Sequence, residues 1–273
     1  MNSMKLPPGY SLVRVLSPGP ATTVMLALDV EGTARLVKQA AIARAVGVLA
    51  HEGAVLRALA RAGVEGVPRL VGDWGDAIAM EWLPLATLGE QGEYGGPMRL
   101  DARFREKAAR ATFARLEAIH EAGVVHGDLS PGNVFVACDG AAAAIADFGL
   151  AAWDGATRST DGAFRGTLLY VAPEVARGES FGPPADDFAL AASLLHMATG
   201  IPLRAVAADG SGAASVAPLL VDAGSRPFDA SHPWHRRARE LFPGAMADAL
   251  LQCLADDARD RPRGLRAVVE RGA

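Results

Sequence analysis

His126-Gly127-Asp128-Leu129-Ser130-Pro131-Gly132-Asn133, with Asp147-Phe148-Gly149 after it, decides how this chain is read. Between the two lie Val134-Phe135-Val136 and Ala144-Ile145-Ala146, short apolar runs on either side of the polar turn Cys138-Asp139-Gly140. That pattern is a β-hairpin, and its two ends carry Asn133 and Asp147. A proton acceptor, an amide oxygen and a second carboxylate then stand at spacings suited to phosphoryl transfer around a metal nucleotide. Asp128 can orient an attacking hydroxyl and accept its proton. Asn133 and Asp147 offer oxygens to a divalent ion; hard oxygen ligands and phosphates suit Mg2+, with Mn2+ as its substitute. Gly149 lets the chain turn tightly beside Asp147, and His126 reads as a structural ring that bonds backbone groups near Asp147.

Upstream, Tyr10 to Leu16, Val24 to Leu28 and Ala34 to Lys38 read as strands of an antiparallel sheet, the last two joined by the turn Asp29 to Gly32. Ala43 to Leu59 reads as a helix with Val48, Leu49, Val55, Leu56 and Leu59 mostly on one side, ending near Arg61-Ala62-Gly63. Val67 to Val71 and Ala77 to Glu81 supply two more strands. Lys38 ends a strand and Glu52 lies on the following helix; a lysine that holds nucleotide phosphates needs such an anion behind it. Ser17 to Val24 links the first two strands, and a phosphate-covering loop there needs small residues. Gly19 and Val24 are placed with the nucleotide, although Pro18 and Pro20 bring no N–H donors. Met80-Glu81-Trp82-Leu83-Pro84 leaves a strand for an irregular connector, whose backbone at Glu81 and Leu83 can meet an adenine edge with Met80 behind it.

Downstream, Phe104 to Ala118 is helical, with Phe104, Ala108, Ala111, Phe113, Leu116 and Ile119 at apolar spacing, and Val124-Val125 is a short strand. Phe188 to Thr199, apolar nearly all round, is a buried helix with Asp186 at its start. Ala151 to Arg165 is a polar loop whose Thr157, Ser159 and Thr160, with Thr167 beyond, are hydroxyls open to phosphorylation. Gly89 to Gly96 and Ala207 to Asp229 are loose stretches. His232-Pro233-Trp234-His235-Arg236-Arg237 reads either as an acceptor or partner patch or as surface decoration, and Met246 to Leu254 as an amphipathic helix.

The 273 residues, 50% hydrophobic, suffice for one compact domain or two closely packed lobes. A net charge of −4, from 27 basic and 31 acidic side chains, gives no field to gather nucleic acid. Cys138 and Cys253 lie far apart without metal-ligand spacing and read as free thiols in a reducing compartment. Met1 to Gly9 lacks the apolar core of a signal peptide, and the apolar runs are too short for direct membrane insertion. A cytoplasmic enzyme is expected, with no sensor or transmembrane segment after the domain and regulation by a protein partner, the loops or expression.

These motifs resemble the eukaryotic-like serine/threonine protein kinases of bacteria over Tyr10 to Val269. The family's HRDLKPxN is similar to His126 through Asn133, its DFG to Asp147 through Gly149, and its APE to Ala172-Pro173-Glu174. Lys38 and Glu52 match its strand lysine and helix glutamate. The resemblance implies an α+β, bilobal protein-kinase-like fold: a small antiparallel β-sheet N-lobe with one main helix over 10–81, a hinge at about 81–85, and a mostly helical C-lobe over 86–269. It also implies ATP with Mg2+, and a protein substrate carrying a Ser or Thr acceptor. Thr167, after Gly166, is implied to contact the catalytic aspartate, Asp186 to be the buried helix-start aspartate, and Arg261 to pair with Glu174.

Gly127 replaces the family's Arg, which grips a phosphorylated loop, and Ser130 replaces the Lys that steadies the transferring phosphoryl group. Ser130 can donate a hydrogen bond there but brings no charge. The His126 loop is also similar to that of aminoglycoside, lipopolysaccharide-core and atypical kinases. Three functions follow: a Ser/Thr protein kinase, a small-molecule or lipid-headgroup kinase, and a nucleotide-binding pseudokinase acting as a binding module.

Overall fold

The computed structural model describes residues 6–90, 101–153, 168–179, 181–203, 228 and 231–262. The chain begins with β1 (Ser11–Pro18), β2 (Thr22–Leu28) and β3 (Ala34–Ala40), followed by α1 (Ala43–Arg61), β4 (Leu70–Asp73) and β5 (Ala77–Glu81). The five strands form one antiparallel sheet in the order β1-β2-β3-β5-β4. Its inner residues Ile78 and Met80 share a core with Leu49, Val55, Leu56 and Leu59 of α1. Asp29 closes the β2–β3 turn by accepting the Glu31 and Thr33 N–H groups. Helix α1 has no side-chain cap at Ile42, so its stability rests on the buried face rather than on its ends.

Two expectations shift here. The fourth strand starts at Leu70 rather than Val67: Pro68 has no N–H for a ladder, and Val67 turns into the core. The expected loop from Ser17 to Val24 shrinks to Gly19–Ala21, because Ser17 pairs with Val24 and Pro18 with Thr23.

Beyond the connector, β6 (Ala86–Thr87) pairs with β8 (Val134–Val136), which pairs with β9 (Ala143–Ile145). Helix α2 (Ala102–Glu121) is capped by Asp101, whose Oδ1 accepts the Phe104 N–H at 2.8 Å. It buries Phe104, Ala108, Phe113, Leu116 and Ile119. Gly123 (φ 76°) turns the chain into β7 (Val124–Val125), which pairs with β10 (Ala152–Trp153). Further helices among the described residues are α3 (Pro173–Ala176), α4 (Pro183–Thr199), α5 (Trp234–Leu241) and α6 (Gly244–Gln252). Helix α4 is buried on nearly every side from Ala185 to Leu195 and is the axis on which the lower lobe packs. The two lobes, a small sheet with one main helix and a mostly helical body, form the bilobal kinase-like fold.

Trp234 is fully buried and donates its indole N–H to the Ile201 carbonyl at 2.9 Å, so this tryptophan is a core anchor rather than surface decoration. Both cysteines are free, Cys138 exposed and Cys253 buried. Among the described residues no helix is long and apolar enough to cross a membrane.

Candidate active site

The antiparallel register sets Lys38 opposite Val24, so both side chains stand on one face of the sheet. Lys38 is buried, and its ammonium touches three carboxylate oxygens: Glu52 Oε1 at 2.7 Å, Glu52 Oε2 at 3.0 Å and Asp147 Oδ1 at 2.8 Å. An ammonium has three N–H donors, so all are engaged. Burial alone would lower the Lys38 pKa, but Glu52 and then Asp147 outweigh it and hold the group charged, above the ordinary lysine range. Burial raises the Glu52 carboxyl against the pull of Lys38. At Asp147 the order reverses: burial pushes the carboxyl up, yet the Coulombic and hydrogen-bond attraction of Lys38 leaves it below the usual value. The Asp147 side chain is 48% exposed, so the ionised group faces the cleft.

Asp147 has φ 70°, the only described residue other than glycine in the left-handed region. That conformation costs about 1–2 kcal/mol. Gly149 gives the space it needs: a Cβ there would sit 3.0 Å from Val48 Cγ1 on α1.

The catalytic loop is braced from within. His126, fully buried, donates Nε2–H to the Ala146 carbonyl at 3.0 Å and accepts the Asp128 N–H on Nδ1 at 3.2 Å, which fixes the ring's tautomer. Asn133 donates its amide N–H to the Asp128 carbonyl at 2.8 Å. With the nitrogen so placed, the amide oxygen is the atom left for a cation. Ser130 is buried, and its carbonyl accepts the Asn133 N–H at 3.0 Å. From below, Asp186 accepts the N–H groups of His126 (2.7 Å) and Gly127 (2.8 Å) and faces His120 Nε2 at 2.9 Å. Burial would lower the His120 pKa, but the Asp186 carboxylate raises it overall.

Gly127 has φ 78°, and a Cβ there would lie 2.7 Å from Phe181 Cζ and 3.0 Å from the Leu150 carbonyl oxygen. The aromatic ring fills the start of the space that a longer side chain at 127 would need. Farther down, Arg261 makes a two-pronged pair with Glu174, 2.7 Å to each oxygen, and gives its remaining N–H groups to the carbonyls of Ala255, Pro184 and Asp256.

The pocket residues divide. Gly19 sits at the β1–β2 turn, where a Cβ would meet the Thr22 carbonyl oxygen at 2.7 Å, and Val24 is half-buried beside Lys38. Met80 is fully buried between Leu36 and Leu70 of the neighbouring strands and packs in the core. Glu81 gives its N–H to the Arg69 carbonyl at 2.9 Å, so that donor is engaged within the sheet; Leu83 follows on the connector, half-buried. Gly166, Thr167, Thr157, Ser159 and Thr160 lie outside the described residues, as does the 207–229 stretch except Phe228.

Several contacts escaped the sequence. His51 Nε2 bonds the Ala151 carbonyl at 2.8 Å, and Gly66 accepts the Ile145 N–H at 2.9 Å. His120 and Phe181 likewise serve the loop from distant elements. Only His51 left a trace: it stands three residues after Val48 and one before Glu52 on a helix.

Comparison with known proteins gives the geometry a lineage. The family model for the protein kinase domain matches residues 78–270. The DNA damage-responsive serine/threonine-protein kinase RqkA of Deinococcus radiodurans is 36% identical over 182 residues, 66% of this chain and 25% of that protein. Mitogen-activated protein kinase kinase kinase 17 of Arabidopsis thaliana is 36% identical over 129 residues, 46% of this chain and 32% of that protein. The serine/threonine-protein kinase AfsK of Streptomyces coelicolor is 38% identical over 141 residues, 51% of this chain and 17% of that protein. The chain thus matches about a third or less of each relative's own length. A lysine held between a helix glutamate and an aspartate after a hairpin, in a chain matched over most of its length, places this protein in the protein kinase domain family, as a eukaryotic-like serine/threonine kinase domain.

Proposed function

We propose that this domain moves the γ-phosphoryl group of ATP to a Ser or Thr hydroxyl of a protein. The observation that carries the reading is the Lys38 ammonium shared between buried Glu52 and cleft-facing Asp147. Glu52 keeps Lys38 charged and aimed, so that Lys38 can turn from Asp147 to nucleotide phosphates without losing its second partner. The donor set suits a hard divalent ion: Asn133 supplies an amide oxygen and Asp147 an ionised carboxylate, few enough ligands for phosphate oxygens and waters to complete the shell. When bound, Mg2+, or Mn2+ in its place, neutralises charge on the phosphates. Gly19 and Val24 cover the nucleotide from the sheet, and Glu81 and Leu83 border it at the connector. Asp128, half-buried and held through its backbone by His126 and Asn133, orients the acceptor hydroxyl and takes its proton. Ser130 takes the place of a cation beside that aspartate, and its buried hydroxyl can only donate a neutral hydrogen bond.

Labelled ATP with Mg2+ and casein as a generic acceptor tests the reading. Wild-type protein should label casein or itself, and Asp128→Asn should lower the rate by about 10²–10⁴-fold while nucleotide affinity stays within a few-fold. Equal transfer by both proteins would remove Asp128 from the reaction. Nucleotide binding with no transfer by either would leave a binding module.

A further inference from the structure

We propose that His51 is a positioning residue. Its bond to the Ala151 carbonyl latches α1, and with it Glu52 and Lys38, to the segment that carries Asp147. Val48, His51 and Glu52 stand at i, i+3 and i+4 on α1, and that spacing puts them on one helix face. Each meets a different point of the segment after Asp147. Val48 Cγ1 lies where it would touch a Cβ on residue 149 at 3.0 Å. Glu52 accepts the Phe148 N–H as well as the Lys38 ammonium. His51 Nε2 reaches the Ala151 oxygen at 2.8 Å.

A carbonyl can only accept, so His51 must be the donor and Nε2 must carry the proton. Ala151 is 1% exposed, so losing the donor to its carbonyl carries a cost. The Ala151 N–H bonds back to the Phe148 carbonyl at 3.1 Å, so residues 148–151 form a closed turn with both ends held. The next residue, Ala152, pairs with Val125, which leads directly into His126 and the catalytic loop. One imidazole therefore ties the upper-lobe helix to the point where the Asp147 turn and the catalytic loop meet. Asp147, in a left-handed conformation, has reason to need the brace. The Lys38–Glu52 pair aligns the lysine but does not fix how far α1 stands from residue 151; the His51 bond does.

The activity arm of the test rests on the phosphotransfer reading above; the exchange arm does not. His51→Phe keeps a ring without a donor, and His51→Gln keeps an N–H donor. Two quantities are measured for each and for wild type: kcat with labelled ATP and casein, and hydrogen–deuterium exchange over residues 148–153. Loss of the donor should lower kcat about tenfold, as expected for one hydrogen bond, and speed exchange of these amides, while His51→Gln stays within about twofold of wild type in both. If His51→Phe does not fold, His51→Leu takes its place under the same criteria. Equal impairment of the Gln and Phe variants, or no difference among the three proteins, would overturn the proposal. If wild type transfers no phosphate, the phosphotransfer reading fails and exchange alone decides the latch: faster in His51→Phe supports it, and unchanged sinks it.

Discussion

Arg261→Lys would test whether the lower lobe depends on the shape of one guanidinium or only on its charge. Arg261 is 4% exposed and spends its five N–H groups on both oxygens of Glu174 and on the carbonyls of Ala255, Pro184 and Asp256. Its fork also lies 5.0 Å from the centre of the Phe188 ring. Lysine keeps the charge but offers three donors from a single point, so at least two of these acceptors lose their partner. An unsatisfied buried group costs about 1–3 kcal/mol, which puts Arg261→Lys, with two such groups, at about 2–6 kcal/mol. Arg261→Ala strips the counter-charge from a Glu174 that is 5% exposed, at about 3–5 kcal/mol. For a chain of this length each kcal/mol moves Tm by about 2–4 °C, so both variants should melt roughly 4–24 °C below wild type by scanning calorimetry. Arg261→Met with Glu174→Gln should recover part of the loss, because the costliest element is one charge buried without the other. An Arg261→Lys variant that melts with wild type would show that charge alone suffices and would refute the geometric argument.

Restoring the family's arginine with Gly127→Arg should destabilise the fold by about 2–4 kcal/mol, from left-handed strain and the collision with Phe181; a melt unchanged from wild type would contradict this. Burial lifts the Asp187 carboxyl from its ordinary 3.8 to about 7, with His120 opposing, Asp186 adding, Arg261 opposing and Glu117 adding. The folded state therefore holds this proton more tightly than the unfolded chain, so the stabilising effect is full below about pH 4 and is lost as pH rises through 7. Asp187→Asn should raise Tm most at pH 8 and progressively less toward pH 4, and an equal difference at every pH would count against it. Lys38→Met leaves Glu52, 1% exposed, without its cation and should lower phosphotransfer at least about 10²-fold, read with labelled ATP.

The sheet, α1 and the hairpin of the site were legible because each announces itself over several residues. Alternation marks β1 to β3, a helical stripe marks α1, and two apolar runs flanking Cys138-Asp139-Gly140 mark β8 and β9. Strands β6 and β10 have two residues each, too few to show a period; they exist because the hairpin and β7 offer them a partner edge. The Lys38–Glu52 and Glu174–Arg261 pairs could be named from a family pattern, but the other partner of Lys38 could not, since its contact with Asp147 depends on how the two lobes close. Met80 was legible as core but not as pocket border, because an apolar strand residue reads the same whether it faces a pocket or a core. His120 and Phe181 gave no signal, being ordinary residues until the tertiary fold sets them beside Asp186 and Gly127.

The hydrogen bond from Ile145 to the Gly66 carbonyl, deep behind the cleft, hooks the strand that leads to Asp147 onto the loop after α1. A Cβ on Gly66 would run into the Arg115 side chain and, at 2.7 Å, the Ala143 carbonyl oxygen, so the two lobes touch there with no slack. The connector and this hook are thus two separate ties between the upper and lower lobes, one before and one behind the strand that delivers Asp147 to Lys38.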